Sequence, residues 1–342
     1  MSKSRMHTLC AGVFIGAVFT LTLGATAART DLASDSSQAK TLIPKAGPER
    51  PAAVPDGYVI TPFGYFHASC VQSLAKGDRI LSDGRVQSGD GATAQSAAVC
   101  TYAHYTRSGE RIEPVSALSR KQPGSPSAGT SPEINGWLEV EGITTGSPTV
   151  SYGGMTARWT VPPAPSAQDG QVLFFFPGLE DINDTQSILQ PVLQWNSGQW
   201  SIASWNCCLN GIVTNSPGVS VSPGDRIYGS ITSTCPAGTL TCATWNVLSL
   251  DLTTGESTTL GATPSDGQTF NWAFGGVLEP YYVISCEDFP PDGSFVFDQI
   301  TVFNQNLKPI HNPQWGGTFN STDTPQCGFG ASADPRKVTL DY

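Results

Sequence analysis

The sequence predicts an all-β protein whose main body is a two-sheet β-sandwich. Three observations carry that expectation. Charged residues make up only 13% of the 342 positions, about half the usual share, whereas coiled coils and helical repeats need dense Glu, Lys and Arg. Glycine and proline number 36 and 26, which favours turns over long helices. After Pro132 no sustained i, i+3, i+4 apolar pattern occurs. Short β-rich runs recur instead between clusters of Gly, Pro, Asn, Asp and Ser.

In chain order these runs cover 137–143, 155–161, 171–176, 187–195, 200–205, 219–221, 225–232, 242–251, 271–279, 281–285, 294–303 and 337–341. About a dozen strands without helices stack as two sheets. Ser222-Pro-Gly-Asp225 and Thr253-Thr-Gly-Glu256 have the composition of hairpin turns. All eight tryptophans fall between Trp137 and Trp315. Some belong to the core, and Trp195, Trp200 and Trp205 are spaced to floor a groove for a peptide or a sugar.

Residues 1–27 read as an export signal. Lys3 and Arg5 precede an apolar run over 9–23, and Ala25-Thr-Ala27 suits signal peptidase. That run is short for a membrane span and small residues follow it, so a secreted chain with no membrane association after cleavage is expected. Of nine cysteines, Cys10 leaves with the signal and eight remain. An even set in an exported chain predicts disulfides, with Cys70–Cys100 and Cys235–Cys242 as the local loops. Metal binding is the weaker reading because no Cys-x-x-Cys is present.

Charge divides the remainder. Residues 28–132 form a basic N-terminal segment bounded by Ser/Ala/Pro-rich linkers, with 11 Lys+Arg against nine Asp+Glu before Ser131. A removable propeptide and a small permanent accessory module both fit it. The region 133–342 carries five Lys+Arg against 19 Asp+Glu, a formal charge of −14. In acid its carboxylates lose their charge, and few bases remain to repel one another. A basic surface for nucleic acid is absent, and a hydrophobic fraction of 39% argues against wholesale disorder.

The chemistry open to this domain is narrow. His311 is its one histidine, which disfavours a Ser-His-Asp site. Neither Gly-x-Ser-x-Gly nor His-Glu-x-x-His occurs, and a complete disulfide set leaves no thiol nucleophile. Carboxyl and carboxamide chemistry remains. Besides peptide hydrolysis, a glycoside hydrolase using two carboxyls such as Glu279 and Glu287 and a non-catalytic carbohydrate- or peptide-binding sandwich are the alternatives.

Taken in order, Arg158-Trp-Thr-Val-Pro162, Phe174-Phe-Phe-Pro-Gly178, Ser187-Ile-Leu-Gln-Pro191, Val219-Ser-Val-Ser-Pro-Gly-Asp-Arg-Ile227 and Gly276-Val-Leu-Glu-Pro280 resemble the framework of the eqolisins. These are acid-active glutamic peptidases, and the resemblance covers roughly 136–302. It implies two long curved antiparallel sheets, concanavalin- or jelly-roll-like. It also implies protein or peptide substrates and a Gln–Glu dyad that works without metal or cofactor. The dyad positions match Gln190, which ends Ile-Leu-Gln, and Glu279. Gln194 and Glu287 are the alternative catalytic residues. Asp181, Trp195 and Trp205 are candidates for lining the cleft, and a monomer is expected. The family's Trp-x-Gly-Ile-Asp-Gly segment is replaced by Phe175-Phe-Pro-Gly-Leu-Glu-Asp181, so specificity does not carry over.

Strand alternation gives an independent expectation. Ile188, Val192 and Gln194 should share the face of Gln190. Asn271, Ala273, Gly275 and Val277 should share that of Glu279, with Trp272, Phe274 and Leu278 opposite, unless Gly275-Gly276 marks a bulge.

Overall fold

The computed structural model describes residues 43–81, 85–91, 99–114, 137–182, 188–265, 267–319, 323 and 325–342. The expected export signal over 1–27 and the expected linker over 121–132 lie outside them. The described elements are strands joined by turns and three 3-10 turns, as the composition requires. The described residues belong to one unit.

Two sheets form the sandwich. The nine-stranded sheet runs Gly316–Phe319, Glu139–Thr144, Trp272–Tyr281, Val172–Glu180, Ile188–Asn196, Gln199–Cys207, Val213–Asn215 and Val71–Ser73, with Val219–Val221 added beside Gln199–Cys207. The seven-stranded sheet runs Ser257–Pro264, Thr244–Asp251, Arg226–Ser233, Tyr152–Thr160, Ser294–Asn304, Lys337–Asp341 and Gly330–Asp334. Their facing sides enclose one core that includes Trp159, Phe175, Leu189, Leu193, Trp195, Trp200, Phe295 and Phe297.

A third layer covers the other face of the nine-stranded sheet. Residues Tyr58–Thr61, Gly64–His67, His104–Tyr105 and Arg111–Ile112 make a small four-stranded sheet. A second core lies between it and the nine-stranded sheet, with Tyr65, Phe66, Phe174, Phe176, Val192, Trp205, Val277 and Tyr281 among its residues. The central strands Val172–Glu180, Ile188–Asn196 and Trp272–Tyr281 are therefore buried along their whole length. This explains their near-continuous apolar character, which a sheet with one solvated face would not need.

The N-terminal layer is attached without a covalent cross-link. Val71–Ser73 pairs in parallel with Val213–Asn215, Ser73 Oγ donates to Asn215 Oδ1 at 2.9 Å, and Gly47 N–H donates to the Tyr282 hydroxyl at 3.0 Å. Arg107 forms an ion pair with Asp323. The eight cysteines pair as Cys70–Cys100, Cys207–Cys208, Cys235–Cys242 and Cys286–Cys327, so each bridge stays within its own layer system. Both expected local loops are present. No helix among the described residues is long and apolar enough to cross a membrane.

Two buried groups give the layers opposite responses to pH. Glu139 sits between the large sheets, where Gly330 N–H donates to its Oε1 at 2.7 Å. Burial nevertheless pushes it up from 4.5 to about 8. A raised carboxyl stabilises the fold fully below its ordinary value, and that contribution is lost as pH rises toward the folded one. His104, stacked on Phe66 in the N-terminal sheet, is pushed down by burial from 6.5 to about 4. Its contribution is present above the ordinary value and is lost as pH falls. Hydrogen exchange at pH 4 and pH 7 is expected to show the sandwich better protected at the lower pH, a response that Glu139→Gln should flatten, and His104→Phe should make the N-terminal sheet relatively better protected at the lower pH. A sandwich response unchanged by Glu139→Gln, or an N-terminal response unchanged by His104→Phe, would count against these assignments.

Candidate active site

The site is set by which side chains the central strands turn toward the N-terminal layer. In Ile188–Asn196 the alternation is regular. Ile188 and Val192 enter the outer core, while Leu189, Leu193 and Trp195 enter the inter-sheet core, which leaves Gln190 and Gln194 facing outward with Ile188. In Trp272–Tyr281 the alternation breaks. The pairing with Glu139–Thr144 shifts between Phe274 and Gly276, a β-bulge that flips the faces. Trp272 and Phe274 consequently lie in the same outer core as Val277 and Tyr281. The expectation of small neighbours around Glu279 is corrected here: the bulge places it among aromatic rings.

Gln190 and Glu279 are both 0% exposed, and both address one short stretch of backbone. Gln190 Nε2 donates to the Pro62 carbonyl oxygen at 3.1 Å. The Tyr281 hydroxyl donates to Glu279 Oε1 at 2.5 Å, and the Thr61 carbonyl oxygen lies 3.3 Å from the same hydroxyl. Thr61 to Gly64 is the turn of the hairpin formed by Tyr58–Thr61 and Gly64–His67. Gln190 Oε1 and Trp205 Nε1 have no hydrogen-bond partner among the described residues, and the two residues are paired directly across neighbouring strands. Each such buried atom costs about 1–3 kcal/mol.

The register separates the two candidate glutamines. Phe174 is paired with Gln194 on one side and with Glu279 on the other, so a buried phenyl ring stands between them. The pairings Phe175 with Leu193 and Leu179 with Leu189 keep one register, which puts Gly178 opposite Gln190. Gly178 brings no side chain there and the Phe274 ring packs over it, while the register sets Gln194 level with Glu279 across Phe174. A Cβ on Gly178 would overlap the Phe274 ring and come within 2.8 Å of the Leu189 carbonyl oxygen.

Electrostatically, Glu279 is a carboxyl in a dry place. Burial pushes it from 4.5 up to about 8, while the Tyr281 hydroxyl, the Arg107 guanidinium, the Gly64 N–H and the Trp137 indole act in the opposite direction. Under the hairpin it is therefore neutral in acid and at neutral pH. Burial and the adjoining Glu279 also raise Tyr281 well above the ordinary phenol range, so it remains a hydrogen donor.

The other candidates fall elsewhere. Trp205 lies on the outer face beside Gln190. Trp195 lies on the opposite face, in the inter-sheet core against Trp200, where it cannot line a cleft above Gln190. Asp181, just beyond the Val172–Glu180 strand, accepts the Thr269 N–H at 3.0 Å and fastens a loop. Glu287 is exposed in the 3-10 turn Cys286–Asp288, next to the Cys286–Cys327 bridge, away from the buried face. Two residues of the outer face escaped the sequence reading: Tyr281, and Glu180, which is 2% exposed beside Ile188 and Trp272. Period-two counting from Glu279 would have found Tyr281. Among the described residues no group of acidic, histidine or cysteine side chains is arranged to hold a metal ion.

No family model matches the chain, and no curated protein matches it in sequence. Among solved structures it is similar to scytalidoglutamic peptidase with a peptide-based transition-state analogue, at 17% identity and a TM-score of 0.45 over 60% of this chain and 98% of that one. It is also similar to SCP-B, an eqolisin-family peptidase in complex with the tripeptide Ala-Ile-His, at 16% identity and a TM-score of 0.44 over 60% and 98%. Aspergilloglutamic peptidase from Aspergillus niger follows, at 18% identity and a TM-score of 0.33 over 50% and 98%. All three are distant likenesses.

Tyr281→Phe removes the hydroxyl that donates to Glu279. Hydrogen bonds to a charged group are worth about 1.5–3 kcal/mol, so the Glu279 titration should move upward by about one to two pH units. The carboxyl infrared band of labelled glutamate reads this directly, and an unchanged or lowered midpoint would contradict the assignment.

Proposed function

We propose that this chain is a secreted, acid-active endopeptidase in which Glu279 and Gln190 form the catalytic dyad. The observation that carries the reading is their convergence. A fully buried amide and a fully buried carboxyl, on two strands separated by a third, both address a single turn: Gln190 through the Pro62 carbonyl oxygen, and Glu279 through the Tyr281 hydroxyl that lies 3.3 Å from the Thr61 carbonyl oxygen. Groups that recognise peptide backbone in this way are suited to a peptide substrate. Four disulfides suit an oxidising, extracellular setting.

In this reading Glu279, once solvated and ionised, takes a proton from a water as the water oxygen attacks the peptide carbonyl carbon. Gln190 Nε2–H donates to the developing oxyanion, a role a neutral amide keeps at any pH. The tetrahedral intermediate collapses, the C–N bond breaks, and protonated Glu279 returns its proton to the leaving nitrogen. One water is consumed, and an acid and an amine are released. Tyr281 holds Glu279 in place, and Trp205 forms the wall beside Gln190. Gln194, level with Glu279 across Phe174, is the alternative for the same role, and Gln190 is preferred for its contact with the Pro62 carbonyl oxygen. No metal or cofactor enters the scheme.

The test is hydrolysis of casein by purified protein across pH 2–7, with a maximum expected below about pH 5, near the ordinary range of a solvated Glu. Glu279→Gln should lose about 10²–10⁴-fold, the usual share of general acid–base catalysis. Gln190→Ala should lose about 10²–10³-fold, as for a single oxyanion donor. Glu287→Gln should keep full activity. Full activity in Glu279→Gln would overturn the assignment, and glycan binding without proteolysis in any condition would favour a carbohydrate-binding sandwich.

A further inference from the structure

The outer face of the nine-stranded sheet is covered, whereas that of the seven-stranded sheet is open. Trp159, Ile227, Val247, Phe297 and Val338 enter the inter-sheet core, so by alternation Arg158, Tyr228, Leu250, Asp298 and Lys337 point outward. Register sets these residues in one row. Asp298 is paired with Arg158, Arg158 with Tyr228, and Tyr228 with Leu250. The pairing of Phe297 with Val338, carried on by one residue, puts Lys337 beside Asp298. Arg226 stands in the next row, paired with Thr160. Three of the five Lys+Arg in 133–342 therefore share one sheet face.

These bases are not equivalent. Arg226 Nη2 donates to Asp298 Oδ2 and Oδ1 at 3.2 and 3.3 Å, and its Nη1 donates to Thr160 Oγ1 at 2.9 Å. Asp298, the direct cross-strand neighbour of Arg158, is thus committed to another partner. Carboxylates are plentiful in 133–342, at 19 Asp+Glu, yet Arg158 has no ion-pair partner among the described residues. Its guanidinium lies instead over the Tyr228 ring, 5.9 Å from the centroid. An arginine stacked on an aromatic ring is held in place, and its planar edge keeps a fork of donors for two parallel hydrogen bonds to a carboxylate.

Hydroxyls surround this fork. Thr156, Ser230 and Thr232 face outward on the same two strands, half-buried or exposed, and beyond Thr160 a groove of about 410 Å³ opens along Pro162, Pro163 and Pro223. A hydroxyl-rich sheet face meets sugar hydroxyls as it would meet water, whereas a peptide is ordinarily taken at a sheet edge or in an apolar groove. We propose that the outer face of the seven-stranded sheet binds an acidic polysaccharide, a chain of uronic acid sugars, with the Arg158 fork on a sugar carboxylate and Tyr228 as its backing. This surface lies on the sheet opposite Gln190 and Glu279, and the proposal stands apart from the dyad reading.

The test measures binding of oligogalacturonate to the full chain by calorimetry at low salt and about pH 5, where uronate and arginine are both charged. A neutral glucan of the same length and an oligoglutamate serve as comparisons. The uronate should bind, and the two comparison ligands should bind at least about tenfold more weakly. Arg158→Gln should weaken uronate binding about tenfold or more, as for a lost charge-assisted hydrogen bond. Arg158→Lys should also bind more weakly than the parent, because the charge stays and the fork is lost. Lys308→Gln makes the same change in net charge away from the row and should leave the affinity unchanged. No uronate binding, equal affinity for the neutral glucan, tighter binding of oligoglutamate, or an equal loss in Arg158→Gln and Lys308→Gln would each overturn the proposal. Should Arg158→Gln fail to fold, Arg158→Lys decides alone.

Discussion

Burial of an amide and a carboxyl at zero exposure on the outer face of the nine-stranded sheet is the constraint on which the rest of the structure depends. Polar groups taken out of water must find partners or cost about 1–3 kcal/mol each, and more if charged. Neighbouring strands cannot supply those partners, because their main-chain groups are already committed to the sheet. Gln190 finds its partner in a backbone turn brought in from 128 residues away, and Glu279 finds its own in the Tyr281 hydroxyl. That turn needs a platform, which explains the small N-terminal sheet, and the platform needs an apolar interface, which explains Phe174, Phe176, Trp205 and Val277 on a face that would otherwise meet solvent.

The same burial determines the electrostatics. A carboxyl enclosed by Trp137, Tyr281 and the hairpin stays protonated until about pH 8, so the covered carboxyl is an acid where the proposed mechanism calls for a base. Uncovering restores water around Glu279 and with it the ordinary range in which a glutamate is ionised at mildly acidic pH. Glu139 favours the sandwich in acid and His104 weighs against the layer that lies on it, whereas Glu279, raised beneath that layer, favours the covered arrangement in acid. The base-poor composition of 133–342, with five Lys+Arg, adds little self-repulsion under those conditions.

Much of the fold was legible in the sequence because it rests on local signals. Turn clusters, runs of four to ten residues and missing helical periodicity fix strands and two sheets, and Cys70–Cys100 and Cys235–Cys242 are close enough to be read as loops. The site was legible in part. Period two places Gln190 with Ile188 and Val192 correctly, and the same count, carried to Trp195, already puts that ring on the other face. The neighbours of Glu279 were misjudged because the bulge at Phe274 and Gly276 inserts a residue, and parity does not survive an insertion. What no local pattern contains is the third layer. Pro62 meeting Gln190 and Tyr65 meeting Tyr281 are contacts across long stretches of chain, set by packing rather than by periodicity.

The most direct measurement is hydrogen exchange of the full chain with and without a non-cleavable peptide that carries a tetrahedral carbonyl mimic. If Gln190 and Glu279 form one backbone-binding site, a bound peptide takes the Gln190 amide hydrogen that now goes to Pro62. Exchange should quicken across Tyr58–Thr61 and Gly64–His67 while Ile188–Asn196 and Trp272–Tyr281 stay protected, and the effect should vanish in Gln190→Ala. Peptide binding that leaves the exchange of the hairpin unchanged would contradict a shared site.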